Sequence, residues 1–443
     1  MRRWQSSGHD AGTRVLLVPG DRLEFLVSAL AGAIGGYQVV SVSQRATAAE
    51  VAHIRGVARA DFEWELGASH DFEREPAPPP PPAFHNVRVI FFTSGTTSLP
   101  KGVCHDFETL LANADAFNDS AGLDRSVRLL HVMPTGYMAG LLNTFLSPLM
   151  AGGVVVLGDA FDAPSALGFW AAAKRHDVNT LWLSPTMAAT LAPLARGAEL
   201  PAWAAAHLRH VFVGTAPLHT ATRDSFRARV GVDCLESYGM TECMFVSVNH
   251  PDVPNPGHSV GRLLRGVEGQ VRGASGEVLP SGAEGELWLR SAYSGAGYLD
   301  DATGEPVHSV TADGWLDTGD VARFDDAGLM TITGRRKDLI IRGGTNVSPK
   351  AVEEVALSFP GVRDAAVVGI PHPYWGEEVV ACLVAEPGQT IDTLALLAHC
   401  AARLNPDAVP SRCLVFDEFP RSSAGKVQKH LLRAAAEQPG GQP

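Results

Sequence analysis

Apolar positions along the chain alternate between strand-like and helix-like spacing, and this alternation predicts stacked layers of both. Arg14 to Pro19 is a short β-branched run closed by a Pro-Gly turn, which predicts a buried strand. Leu23 to Ile34 repeats its apolar positions at helical spacing, and Tyr37 to Val42 reads as a second strand. Thr47 opens a further helix, because Glu50 three residues on completes a capping box. Such a strand–helix–strand rhythm belongs to a parallel α/β layer. The composition then turns abruptly to proline over 76–82, which predicts an extended segment or exposed loop. A second α/β block is expected over about 87–248. Its apolar strands (Val87–Phe92, Val154–Leu157, Thr180–Leu183, His210–Gly214) alternate with Ala-rich helices. From about 257 to 333, short alternating strands with Gly and Asp turns predict a small antiparallel sheet or barrel. The tail restarts with a strand (Leu339–Arg342), a helix (Pro349–Ser358) and two more strands (Ala365–Gly369, Val379–Val384). The expected fold class is α/β, with a large N-terminal domain over 1–337 and a small α+β domain over 338–443. No internal repeat is visible.

Length and composition agree with this division. The 443 residues are about three times a ~150-residue modal domain, so several units are expected. Hydrophobic residues make up 45% and charged residues 19%, an ordinary globular balance. A formal charge of −12 argues against non-specific binding to nucleic acid or anionic membranes, though not against a local anion pocket. The six cysteines (Cys104, Cys234, Cys243, Cys382, Cys400, Cys413) form no CxxC pair, and reduced thiols in a cytoplasmic protein are expected. Met1 to Gly20 lacks the apolar centre of a signal peptide. Phe25 to Val42 is interrupted by Gly32, Gly35, Gly36 and Gln38, which fits a buried helix and strand better than a membrane span.

One segment stands out chemically. Phe91-Phe92-Thr93-Ser94-Gly95-Thr96-Thr97-Ser98-Leu99-Pro100-Lys101-Gly102 carries a buried strand into a loop of hydroxyls, a glycine and a lysine. Backbone amides and hydroxyls there can wrap a polyphosphate, with Lys101 as a point charge. It is not a Walker A loop, because Pro100 stands where glycine is needed and Gly102 where a magnesium-binding hydroxyl belongs. Tyr238-Gly239 offers an aromatic face beside a close backbone approach, suited to a purine or simply to a core turn. Thr241-Glu242 pairs a hydroxyl with a carboxylate, hard oxygens suited to magnesium on ATP phosphates; alone, Glu242 reads as a solvated acid. Asp320 ends a Thr-Gly-Asp turn, where a carboxylate can accept two ribose hydroxyls or form an Asx-turn. His207 and His210 stand three apart without a metal-spaced partner and read as a helix surface. No Gly-x-Ser-x-Gly elbow of a hydrolase is present.

Thr93–Gly102 resembles the phosphate loop of the adenylate-forming superfamily, which holds acyl-CoA synthetases, carrier-protein adenylation domains and luciferases. Further segments resemble that family's motifs in family order. They are Gly214-Thr215-Ala216-Pro217, Glu236-Ser237-Tyr238-Gly239-Met240-Thr241-Glu242, Gly314 to Asp320, Gly334-Arg335-Arg336-Lys337-Asp338, Gly343-Gly344 and Pro420 to Lys426. The resemblance runs from about Arg14 to the C-terminus and is closest to an acyl-CoA ligase with a shortened N-terminus.

It implies an ATP- and AMP-binding set of Thr93, Ser94, Gly95, Thr96, Thr97, Lys101, Thr215, Ala216, Pro217, Glu236, Ser237, Tyr238, Gly239, Met240, Asp320 and Arg335. Lys426, Thr241 and Glu242 are implied as catalytic, with Glu242 linked to magnesium. Lys337 is implied as a hinge, and Gly343-Gly344 as the lining of a thiol tunnel. Tyr137, Met138, Leu141, Thr215, Gly239 and Met240 would line the acyl pocket, which points to an apolar or aromatic acid. No Phe-Asp pair in Pro134–Thr144 awaits an ammonium group, so amino acids are not expected. Three departures stand out: only about 90 residues precede the phosphate loop, Ser98 replaces a usual glycine, and Tyr137 stands where many relatives have a gating histidine.

The implied reaction is ATP-dependent formation of an acyl-AMP, then transfer of the acyl group to coenzyme A by domain alternation. A separate carrier protein is the alternative acceptor. A degenerate nucleotide-binding protein is the alternative of another class, although Glu242, Asp320, Arg335 and Lys426 are all retained. A homodimer is left open, and neither nucleic acid nor membrane is expected as a partner.

Overall fold

The computed structural model describes residues 4, 8–18, 20–44, 46–65, 87–93, 100–253, 259–421 and 426–438. The proline-rich run at 76–82 and phosphate-loop residues Ser94, Gly95, Thr96, Thr97 and Ser98 lie outside them. Four sheets organise the described residues, two of seven strands, one of four and one of five.

The first sheet grows from the predicted N-terminal rhythm. Arg14–Val18 and Gln38–Ser41 pair in parallel around the Arg22–Ile34 helix. Asp21 caps that helix, its side chain accepting from the Glu24 amide. The Thr47–Glu50 capping box is present at the start of Ala48–Ala58. The proline-rich run is not a sheet boundary. Arg88–Thr93, expected to begin a second block, pairs in parallel with Gln38–Ser41 and then antiparallel with Lys101–Asp106. Gly297–Leu299, from the region read as a separate small sheet, adds to the other edge of Lys101–Asp106. Side chains buried on both faces favour these pairings over the local order of the chain.

The second sheet holds Arg128–His131, Val154–Leu157, Thr180–Leu183, His210–Val213 and Leu235–Met240 in parallel, with Met244–Val248 turning back antiparallel. His210 lies in one of these strands and is buried, which corrects its reading as a helix-surface residue; His207 ends the preceding helix and is exposed. Burial and the Arg209 charge lower the His210 pKa to about 4. The third sheet is antiparallel and open, not a barrel, and consists of Val267–Arg272, Gly285–Ser291, Leu316–Phe324 and Met330–Arg335.

After a 3₁₀ turn at Arg336–Asp338, the fourth sheet is built around the long hairpin of Val362–His372 with Gly376–Ala385. Pro349–Leu357 and Lys429–Glu437 pack on it. Its apolar clusters draw only on residues from Ile340 onward, while the other clusters reach no further than Ile332. Among the described residues no helix is long and apolar enough to cross a membrane.

Candidate active site

Two strands frame the phosphate loop. Thr93 and Lys101 face each other in register, and the Thr93 hydroxyl donates to the Lys101 carbonyl at 3.4 Å. Lys101 is exposed, with its Nζ 5.9 Å from the centroid of the Tyr298 ring.

Thr241 and Glu242 lie in the turn between Leu235–Met240 and Met244–Val248. The strand pairing shifts register between Tyr238 and Gly239, and Met244 has φ +58°. Gly239 is required by this close approach: a Cβ there would lie 2.3 Å from the Met244 carbonyl oxygen. Three contacts from the first sheet and its flanking segment hold the turn. His105 Nε2 donates to the Thr241 carbonyl at 2.6 Å, the Gly295 amide donates to the Glu242 carbonyl at 2.9 Å, and the Tyr298 hydroxyl donates to Glu242 Oε1. Complete burial lowers the His105 pKa to about 4, so the ring is neutral, and this hydrogen bond fixes its proton on Nε2.

Asp320 does not end a turn. It lies within Leu316–Phe324, in a bulge with Thr318 and with Gly319, which takes φ +68°. The Asx-type bond belongs to Asp317, whose Oδ1 accepts from the Gly319 amide, while the Thr318 hydroxyl accepts from the Asp320 amide. The bulge turns the Asp320 carboxylate toward Tyr238 and Arg335. Tyr238 donates its hydroxyl to Oδ2 at 2.5 Å, and Arg335 donates Nε to Oδ1 at 2.6 Å. Burial and the neighbouring Asp320 carboxylate raise the Tyr238 pKa, so its hydroxyl stays protonated.

Thr215 adopts φ +73°, a costly conformation for a β-branched residue and one concentrated at functional sites. Ala216 and Pro217 beside it are exposed, and a Cβ on Gly214 would meet Ser237 Oγ at 2.9 Å. Glu236 is buried away from the Asp320 group's hydrogen bonds. Burial raises its pKa to about 7, against the opposing charges of Lys350 and Arg223.

Met138, Leu141, Tyr238 and Met240 share one apolar cluster, as an acyl pocket would require, but Tyr137 packs against the neighbouring one. Met138 precedes a π-helical stretch, Ala139–Leu146, a rare form often found at functional sites. Gly136 and Gly140 press this segment against its neighbours. A Cβ on Gly136 would lie 1.8 Å from the Val42 oxygen.

The other sequence-derived residues lie beyond Arg335. Lys337 sits exposed in the 3₁₀ turn. Gly343 and Gly344 form the two-residue loop between Ile340–Arg342 and Thr345–Val347, with φ +58° and +90°. Lys426 is exposed and precedes Val427, which forms an isolated antiparallel bridge with Arg421. Sequence reasoning missed Tyr298 and His105. The Ser294 to Tyr298 run with its two glycines is the only sequence signal for the first, and a histidine inside an apolar strand the only one for the second.

Comparison with known proteins follows the same lines. The family model "AMP-binding enzyme" matches residues 56–299, and "AMP-binding enzyme C-terminal domain" matches 351–426. Over 371 residues the chain is 36% identical to sulfoacetate–CoA ligase of Cupriavidus necator, covering 83% of this chain and 70% of that protein. It is 32% identical to feruloyl-CoA synthase of an Amycolatopsis species, covering 83% and 73%. ATP-bound MatB from Rhodopseudomonas palustris superposes with a TM-score of 0.84 at 27% identity, covering 99% of this chain and 91% of that one.

Proposed function

The chain belongs to the AMP-binding enzyme family and is an AMP-forming acid–thiol ligase, and from that premise we propose how its residues divide the work. The observation that carries the assignment is the meeting of Tyr238, Asp320 and Arg335 beside a Thr-Glu turn tied to the phosphate-loop strands. Asp320 accepts the ribose hydroxyls, since each carboxylate oxygen keeps a lone pair beyond its bond to Tyr238 or Arg335. Tyr238 and Gly239 provide the face for the purine, with Thr215, Ala216 and Pro217 closing its edge. Thr93, Lys101 and the hydroxyls of 94–97 receive the phosphates.

Glu242 and Thr241 suit magnesium, a hard cation that binds through one or two carboxylates and substrate phosphates rather than in an all-protein cage. Among the described residues no cluster of three acidic, histidine or cysteine side chains offers such a cage. When bound, the ion neutralises charge on the phosphates.

In the first half-reaction a carboxylate oxygen of the acid attacks the α-phosphorus, and pyrophosphate leaves with the electrons of the broken P–O bond. Lys426 meets the charge on the transferring phosphoryl group. In the second, the thiol sulfur attacks the acyl carbon and AMP departs with the bonding pair. A turn about Lys337 exchanges Lys426 for the Gly343-Gly344 loop between the two steps. Lining by Met138, Leu141 and Met240 favours an acid with an apolar or aromatic body. Coenzyme A is the acceptor we propose, and a carrier protein's thiol is the alternative. Acid-dependent exchange of labelled pyrophosphate into ATP, over a panel of aryl, alkyl and sulfonated acids, tests the first step; no exchange with any acid would count against it. Thioester formation with coenzyme A against a phosphopantetheinylated carrier then decides the acceptor.

A further inference from the structure

We propose that Tyr298 is a positioning residue for magnesium-bound ATP, coupling Glu242 to the lysine at the base of the phosphate loop. The inference rests on the reading of Glu242 as the magnesium-linked carboxylate. Tyr298 comes from Gly297–Leu299, a three-residue strand that belongs to none of the segments carrying the nucleotide-binding motifs. Its hydroxyl donates to Glu242 Oε1, and its ring lies beneath the Lys101 ammonium. One side chain therefore bonds one of the two charges assigned to the ATP phosphates and lies within cation–π range of the other.

The backbone around Tyr298 is built to hold it there. Tyr298 pairs with Val103 and Gly297 with Cys104 on the strand that leaves the phosphate loop. Gly297 takes φ +124°, and a Cβ on it would lie 2.0 Å from the Val307 oxygen, so a glycine is needed to turn the strand at this point. Gly102, opposite on the loop strand, leaves room for Leu299, which a Cβ would meet at 2.8 Å. The Gly295 amide ties the same segment to the Glu242 carbonyl. The hydroxyl is the donor of this bond, since an ionised carboxylate can only accept. A donor on Oε1 fixes the carboxylate plane and leaves the remaining lone pairs for the metal. The ring stabilises the nearby ammonium through its electron-rich face.

Tyr298→Phe removes the hydroxyl and keeps the ring. Calorimetry should measure ATP affinity with magnesium and with EDTA for wild type, Tyr298→Phe, Glu242→Gln and the double variant. A hydrogen bond to a charged group of ordinary strength predicts about a tenfold loss of magnesium-ATP affinity in Tyr298→Phe and none for metal-free ATP. The magnesium concentration that half-saturates pyrophosphate exchange should rise by a similar factor. Thioester formation from supplied acyl-AMP should stay at the wild-type rate. The double variant should lose no more than Glu242→Gln alone. Equal weakening with and without magnesium, tighter magnesium binding, or additive losses in the double variant would each overturn the coupling. If Glu242→Gln leaves the magnesium dependence intact, the metal reading of Glu242 fails. If Glu242→Gln abolishes it while Tyr298→Phe changes nothing, only the role of Tyr298 fails.

Discussion

Asp320→Ala separates the ribose contact from the structural part that the same carboxylate plays. Asp320 is 6% exposed, and its carboxylate accepts one bond from Tyr238 and one from Arg335. Bonds to a charged partner contribute roughly 1.5–3 kcal/mol. The Arg335 side chain is 47% exposed, so solvent screens its share to at most about 1 kcal/mol. The buried Tyr238 hydroxyl is left without its acceptor, at a cost of about 1–3 kcal/mol. Together these give a destabilisation of ~1–4 kcal/mol, visible as a melting shift of a few degrees. The ribose adds a separate loss. Two hydroxyls lose a charged acceptor, so the dissociation constants for ATP and AMP should both rise by about 100-fold, because each nucleotide carries the same ribose. Asp320→Asn keeps one acceptor oxygen and should fall between wild type and Asp320→Ala in both measurements. Calorimetric titration with ATP and AMP, well below the variant's melting temperature, reads affinity; scanning calorimetry reads stability. A variant that melts early yet binds AMP normally would refute the ribose role and leave Asp320 as a packing residue.

Lys426→Ala should slow adenylation by about 10²–10³-fold, the usual effect of losing one donor to developing charge, while thioester formation from supplied acyl-AMP persists; equal losses in both would remove it from the first step. Lys337→Pro fixes φ and deletes an amide. It should accumulate acyl-AMP in single-turnover assays, and parallel losses in both half-reactions would speak for simple destabilisation. Glu236 has its pKa raised to about 7, so its protonated form stabilises the fold below about pH 4.5, and this contribution is lost as pH rises through 7. The buried His105, His131 and His210 titrate with the opposite sign, their pKa values depressed to about 4, 3 and 4; their contribution is present above pH 6.5 and lost as pH falls. The difference between Glu236→Gln and wild-type melting curves should therefore grow from pH 5 to 8, and a flat difference would contradict the raised pKa.

Local chemistry was legible in this sequence, and long-range pairing was not. Val154–Leu157 and Thr180–Leu183 form as written, the second buried along its whole length and the first a partly exposed strand at the edge of the same sheet. Thr47 and Glu50 announce their helix through bonds that span three residues. The motif residues were legible for a related reason, since glycines, hydroxyls and charges with unusual spacing keep their character wherever the chain carries them. The joining of Arg88–Thr93 and Gly297–Leu299 to the first sheet had no such local mark. Strand partners are chosen by packing across the sheet, and so the supports of the site, Tyr298 and His105, stayed hidden with them.

The same distinction bears on the proposed rotation at Lys337. Among the described residues no apolar cluster spans the Arg336–Asp338 turn, so moving the small domain breaks no core. What crosses the joint is polar. The Ser348 hydroxyl donates to the Thr333 carbonyl at 2.8 Å, and Lys350 Nζ to the Ile332 carbonyl at 2.7 Å. Glu354 accepts from the Thr220 amide at 3.1 Å and pairs with His219 Nδ1 at 3.1 Å, capping a helix of the large domain from outside it. Water can replace each of these bonds at small net cost, since a typical hydrogen bond contributes only about 0.5–1.5 kcal/mol to stability. An apolar interface of the same extent would have to be exposed in full during the turn. A joint of hydrogen bonds with separate cores on either side can instead hold one arrangement and release it within a catalytic cycle, as the two half-reactions at one site require.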